Sequence, residues 1–327
     1  MEPALVLRDV RKSFGSTKAV DGMNLTVPRG ALYGVIGPNG AGKTTCIRMV
    51  MSILFPDSGE LSVLGGRSAL EAKDRIGYLP EERGVYRKMK VAAFLVYMAQ
   101  LKGVRADEAA SRVPRLLADM NLAGAEGKLC EDLSKGMLQR VQFVSAIIHQ
   151  PELLILDEPF SGQDPVSVRL LRDHILREHR RGATVLLSTH VMANAEEMCQ
   201  HVVMIHQGRK VLDEPMAGLR RQFDPRTIRF EPLHSGADTS PLRAVPGVER
   251  VEPTDEGGCT VVLTEGTDPA TAIARLAAVV APARIEIARL RLEDVFIRIV
   301  SAGAAGSDAA RALRAGLQSS ESEGALA

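Results

Sequence analysis

The stretch Gly37-Pro38-Asn39-Gly40-Ala41-Gly42-Lys43-Thr44 fits the pattern G-x-x-x-x-G-K-[ST]. Glycines at this spacing let a loop curl until successive backbone N–H groups point at phosphate oxygens, where a Cβ would block the approach or the backbone angle. The apolar run Leu32–Ile36 ends at the first glycine, and Lys43–Leu54 has helical apolar spacing. The loop therefore joins a buried strand to a helix, whose positive N-terminal end faces the same anion. The cradle is expected to span Gly37, Pro38, Asn39, Gly40, Ala41, Gly42, Lys43, Thr44 and Thr45. Lys43 would reach the β- and γ-phosphates, and Thr44 would offer its hydroxyl to Mg²⁺.

Working outward, Leu153–Leu156 and Thr184–Leu187 are short, wholly apolar runs, as buried parallel strands require. Val166–Arg180 between them reads as a helix, and the alternation predicts an α/β fold around a largely parallel sheet. Leu153–Leu156 runs into Asp157-Glu158-Pro159, so two carboxylates emerge at the strand end where such sheets place ligands. Asp157 would hold Mg²⁺ and Glu158 would polarise an attacking water, although the same tripeptide also serves to cap a strand. Ala4–Val10 alternates like an edge strand, and Arg105–Leu122 and Lys135–Gln150 read as two helices inserted beside the sheet. Past residue 215 the chain is punctuated by Pro215, Gly218, Pro225 and Pro232. It then reads strand, helix, strand, strand, helix, strand over Thr227–Ala288, the split βαβ order of ferredoxin-like domains. Ser301–Ala327, rich in Ala, Gly and Ser, reads as a low-complexity tail.

The whole chain has 327 residues, which suits about two domains, with 41 Lys and Arg against 40 Asp and Glu. So even a balance gives no reason to expect a nucleic-acid partner. Cys46, Cys130, Cys199 and Cys259 form no CxxC pair and read as reduced thiols. The N-terminus lacks a basic and apolar leader, and the longest apolar stretch, Val91–Leu101, is too short to span a bilayer. Any spanning element is expected in another polypeptide.

Leu133-Ser134-Lys135-Gly136-Met137-Leu138-Gln139-Arg140 precedes a further apolar helix, with Ser134 suited to cap it. Taken with Gly37–Thr44, Leu153–Pro159, Ser161–Asp164 and Ser188–His190, in that order, the chain resembles an ABC-transporter ATP-binding subunit over residues 1–218. The resemblance implies a P-loop NTPase fold with a helical subdomain and an antiparallel β edge, followed by a small α+β domain at 219–300 and the tail at 301–327. It implies ATP and Mg²⁺ as ligands and a head-to-tail homodimer, or a heterodimer with a related cassette. ATP would lie between the cradle of one subunit and Ser134–Gly136 of the other. In that frame Phe14 stacks on adenine, His190 contacts the γ-phosphate, Glu158 is the general base, and Asp164 lies at the dimer seam. Gly77–Tyr86 and Leu292–Phe296 further resemble the bacterial ABC-2-type group, which includes drug and sodium exporters. That group implies an ABC-2-type transmembrane permease partner and a peripheral, cytoplasmic-face location.

Four positions depart from the commonest family pattern, Met137 among them in place of a common glutamine. Glu81 stands where most cassettes carry Gln; its carboxylate can ligate Mg²⁺ but adds charge beside a polyphosphate. Lys135 replaces a glycine, either adding charge near the opposed phosphate or standing solvated at the helix start. Gln163 replaces a leucine with no evident chemical cost. Two rival readings fit less of the chain. Repair ATPases insert a long coiled coil between cradle and signature, for which the interval from Lys43 to Ser134 leaves no room, and translation ATPases usually carry two cassettes. A simple P-loop kinase or GTPase would leave Leu133–Arg140 unexplained.

Overall fold

An antiparallel sheet opens the chain in the computed structural model, which describes residues 2–82, 84–222, 227–234, 236–254, 257–288 and 291–303. Strands β1 (Leu5–Phe14), β2 (Thr17–Val27) and β4 (Ser58–Val63) lie in the order β2-β1-β4. β1 is therefore central, not an edge. The alternation of Ala4–Val10 reflects one buried and one wet face, while both sides of the strand are paired, Leu7 opposing Leu25 and Leu61.

The second sheet carries β3 (Leu32–Ile36), β5 (Ile76–Leu79), β6 (Leu153–Asp157), β7 (Thr184–Thr189), β8 (His201–His206) and β9 (Arg209–Pro215). Its order is β5-β6-β7-β3-β8-β9, parallel except for β9, which returns antiparallel along β8. Every residue of β3, β6 and β7 is buried, which explains their unbroken apolar composition. The ends of β3, β6 and β7 thus open on the same side, and the cradle, the acidic pair and His190 stand at those ends.

Helix α1 (Lys43–Val50) leaves the cradle and ends four residues before the expected Leu54. Ser52 adopts φ 56°, and the amides of Ile53 and Leu54 turn back to the Arg48 carbonyl at 2.9 and 3.1 Å. Helices α2 (Val91–Gln100), α3 (Ala106–Asp119) and α4 (Lys135–Ile147) form the subdomain anticipated beside the sheet. α5 (Pro165–Arg180) and α6 (Met192–Met198) follow β6 and β7, and α7 (Met216–Gln222) follows β9.

The described residues fold as two units, one of residues up to Met216 together with Phe296–Gly303, the other Ala217–Val295. In the second unit β10 (Thr227–Pro232), β11 (Val248–Pro253), β12 (Cys259–Leu263) and β13 (Pro282–Ile287) pair antiparallel in the order β11-β12-β10-β13. α8 (Pro269–Val279) is capped by Asp268, and Ile228, Phe230, Val261, Leu263 and Leu276 form a separate core. The expected first helix is only a 3₁₀ turn over Ser240–Ala244. Pro246 drives Val245 into extended geometry (ψ 127°) and stops it. α9 (Leu292–Gly303) takes in the first residues assigned to the tail, and 304–327 lie outside the described residues. Among the described residues no helix is long and apolar enough to cross a membrane.

Glu152 ties the amino-terminal ends of the parallel strands together. Its carboxylate accepts from Arg29 at 2.8 Å and from Arg75 at 2.6 and 2.7 Å. Its amide donates to the Arg75 carbonyl, and its carbonyl accepts from Thr184. Arg75 and then Arg29 hold the Glu152 pKa down at about 2. A depressed carboxylate pKa stabilises the fold above its unfolded value of about 4.5, and the contribution disappears as pH falls toward 2. Thermal melts of the full chain and of Glu152→Gln are expected to differ at pH 6, the variant lower, and to converge between pH 4.5 and 2.

Candidate nucleotide site

Gly37 follows β3, and a Cβ there would stand 2.2 Å from the Ile205 carbonyl of β8. Gly42 holds φ +106°, and a Cβ there would stand 2.3 Å from the Ala19 carbonyl of β2. The loop is therefore pressed between two sheets at positions that admit only glycine. Residues Asn39–Thr45 line a cleft of about 470 Å³ with Thr17, Lys18, Ala19, Glu81, Glu158 and Gln207. The Lys43 ammonium is buried, donates to the carbonyls of Gly37 and Pro38 at 2.8 and 3.2 Å, and lies 3.5 Å from Glu158 Oε1.

Asp157 closes β6 opposite Ser188 of β7. It is 1% exposed, and neither carboxylate oxygen has a hydrogen-bond partner. Burial raises its pKa, against the nearby hydroxyls of Ser188 and Thr44. Glu158 turns the chain out of the strand at φ 50°, a left-handed conformation rare for a non-glycine residue and costing on the order of 1–3 kcal/mol. Its amide donates to the Ser188 carbonyl at 3.0 Å, which fixes the turn. His190 Nδ1 lies 3.0 Å from Glu158 Oε1, at ion-pair distance but outside hydrogen-bonding alignment. The Glu158 carboxylate raises the His190 pKa against the cost of burial. Lys43, Glu158 and His190 are thus brought together.

Phe14 ends β1, its ring 50% exposed with the Lys12 ammonium 5.7 Å from its centroid, and it is not among the cleft-lining residues. Ser134, Gly136 and Asp164 also stand outside the cleft of their own chain. Ser134 is exposed and caps α4 by accepting from the Met137 amide, and Asp164 is exposed and caps α5 by accepting from Val166 and Ser167. Glu81 is exposed at the cleft edge. Lys18 and Gln207 line the cleft without having been anticipated. Gln207-Gly208 is readable as a turn between strands, but the packing of that turn on the cradle, Gly208 amide to Ala41 carbonyl at 2.9 Å, is a tertiary fact. Gln163, at the position of the family's common leucine, donates its amide to Gln139 Oε1. A second depression, of about 540 Å³ beside Tyr33, is away from this chemistry. Its Asp213 already engages Tyr33, His201 and Lys210.

Residues 20–161 match the ABC transporter family, and residues 215–300 match the C-terminal domain of DrrA1-3-like ATP-binding proteins. The uncharacterized ABC transporter ATP-binding protein YhaQ of Bacillus subtilis is 40% identical over 253 residues, 77% of this chain and 84% of that protein. The chain belongs to the ATP-binding subunits of ABC transporters. The bacitracin transport ATP-binding protein BcrA of Bacillus licheniformis is 34% identical, over 68% of this chain and 73% of its own. A solved ATP-binding subunit of an ABC transporter superposes with a TM-score of 0.62 at 31% identity, covering 67% of this chain and 93% of that one. As an ABC ATP-binding subunit, the protein binds and hydrolyses ATP. Subunits of this family work with a membrane-spanning permease.

Alanine at position 42 of the ABC subunit would meet the Ala19 carbonyl and a backbone angle it rarely adopts. Gly42→Ala is expected to weaken ATP binding by at least about tenfold, roughly 1.4 kcal/mol, with the far-UV circular dichroism unchanged; equilibrium titration with a fluorescent ATP analogue reads the loss.

Proposed function

We propose that two such subunits, identical or one a related cassette, close head-to-tail on ATP and Mg²⁺ and so drive export through an ABC-2-type permease at the cytoplasmic face of the membrane. One observation carries this reading: each chain holds a cleft with its cradle and Glu158, and separately an exposed, capped tip at Ser134 that has no role in that cleft. A helix N-terminus capped by a hydroxyl suits an anion, and the anion available to it in trans is the triphosphate of a second cleft.

In this reading Gly37–Thr45 wrap the phosphates and Lys43 exchanges its loop carbonyls for β- and γ-phosphate oxygens. Phe14 stacks on the base, Glu158 takes the proton of the attacking water, and His190, partnered with Glu158, meets the γ-phosphate. Ser134 and Gly136 seal the opposed nucleotide, and Asp164 lies at the seam. Mg²⁺ fits the residues present. The Asp157 carboxylate is buried with both oxygens unpartnered beside the Thr44 hydroxyl, and Glu81 adds a third hard oxygen donor at the cleft edge. Among the described residues no cluster of three His, Cys, Asp or Glu side chains forms a cage, which suits an ion that takes further ligands from phosphates and water. With Mg²⁺ bound, the charge gathering on the β- and γ-phosphate oxygens is neutralised.

Residues 1–218 form the cassette in this proposal, and 219–300 an accessory domain of the kind found in DrrA-like proteins. Export is supported by the match to Nod factor export ATP-binding protein I of Cupriavidus metallidurans, 36% identical over 65% of this chain and 71% of its own.

Glu158→Gln removes only the base, so turnover is expected to fall at least about 10²-fold with ATP binding retained; near-normal turnover rejects the assignment. In mixed dimers of Ser134→Ala with Lys43→Ala, both lesions fall on one site in trans and the other site is intact. Half the wild-type activity per dimer is therefore expected, while mixed dimers with two fully active sites, or none, rule out the head-to-tail arrangement.

A further inference from the structure

Two buried glutamines on α4 have no part in the nucleotide contacts described above. Gln139 and Gln142 are 8% and 4% exposed and, three residues apart, share one helix face. Each spends its amide on a backbone carbonyl of a different loop. Gln139 Nε2 donates to the Pro159 carbonyl at 2.6 Å, and Pro159 directly follows Glu158. Gln142 Nε2 donates to the Glu82 carbonyl at 3.3 Å, and Glu82 directly follows Glu81. The Gln139 amide cannot flip without loss, because its Oε1 accepts from Gln163 Nε2. The Glu82 side chain is held separately by Arg48 of α1 at 3.1 Å.

We infer that Gln139 and Gln142 are positioning residues through which α4 sets Glu158 and Glu81 independently. The inference rests on the roles proposed above for those two carboxylates. Its physical basis is strain. Glu158 sits in a left-handed conformation that relaxes unless its neighbours over-determine it, and the bond from Gln139 is the side-chain tie on the carbonyl that follows. Glu81 is exposed and has no comparable turn of its own, so the bond from Gln142 to the next carbonyl, with Arg48 on the next side chain, sets where its carboxylate stands. The same helix begins at Ser134, so seating that tip on a second nucleotide bears on both loops at once. Gln163 supplies this link in place of the family's common apolar residue, which could not fix the Gln139 amide.

Methionine keeps the length of glutamine and loses the donor, so Gln139→Met and Gln142→Met in the full chain separate the two effects. Gln139→Met is expected to lower kcat by about tenfold, because small displacements of a catalytic group are costly, with KM for ATP and the Mg²⁺ dependence unchanged. Gln142→Met is expected to raise, by about fivefold, the Mg²⁺ concentration at which a fluorescent ATP analogue is half bound, since supports of metal ligands act on affinity. Gln163→Leu should shift kcat in the direction of Gln139→Met, by less. Thermal melts accompany each variant. Equal effects of the two methionines on both readouts, or a change in melting temperature alone, overturn the inference. Glu158→Gln and Glu81→Ala in the same assays separate the two levels: if they lower kcat and Mg²⁺-dependent binding respectively while Gln139→Met and Gln142→Met stay at wild-type values, only the positioning role fails. If the glutamate variants behave as wild type, the underlying assignment fails.

Discussion

Two adjacent carboxylates cannot stay charged at the buried end of a strand unless cations and hydrogen-bond donors are brought to them. Asp157 and Glu158 impose that condition here, and much of the first unit meets it. The curl of the glycine loop returns the Lys43 ammonium to within 3.5 Å of Glu158, and β7 ends so that His190 arrives at 3.0 Å. The turn that separates the two carboxylates is held by the Ser188 carbonyl, so β7 fixes its backbone as well as its charge. Asp157, buried beside the Ser188 and Thr44 hydroxyls, is the carboxylate whose pKa burial raises in spite of those neighbours.

The parallel register follows from the same condition. Asp157 pairs with Ser188, and Ile36 pairs with Thr189, so the ends of β3, β6 and β7 are level. A slip of one residue would send either the cradle or the acidic pair to the wrong face of the sheet. The flanking antiparallel sheet contributes the Ala19 carbonyl against Gly42, and the β8–β9 turn contributes Gly208 against Ala41, so the loop is moulded from outside itself.

What could be read from residues alone follows this division. The cradle was legible because glycine spacing is itself the geometric requirement. The acidic pair was legible because a four-residue apolar run is too short for a buried helix and reads as an interior strand. The order of the second unit was legible from short alternating runs, although Pro246 cut its first helix to a single turn. β1 was misjudged as an edge because alternation reports which face is wet and says nothing of what pairs on either side. The end of α1 was overrun because Ile53 and Leu54 keep helical spacing after Ser52 has left helical geometry. Lys18, Gln207 and the Gln163–Gln139 bond depend on long-range approach between segments, and no local pattern announces them.

The carboxylate of Glu152 lies one strand length behind Asp157, about 17 Å at roughly 3.3 Å per residue. Its two arginines clasp the sheet at the end away from the phosphates. Anchorage and chemistry are therefore housed at opposite poles of the same five-residue strand. Substitutions at one pole bear first on how the fold endures acid, and substitutions at the other on the pace of ATP turnover.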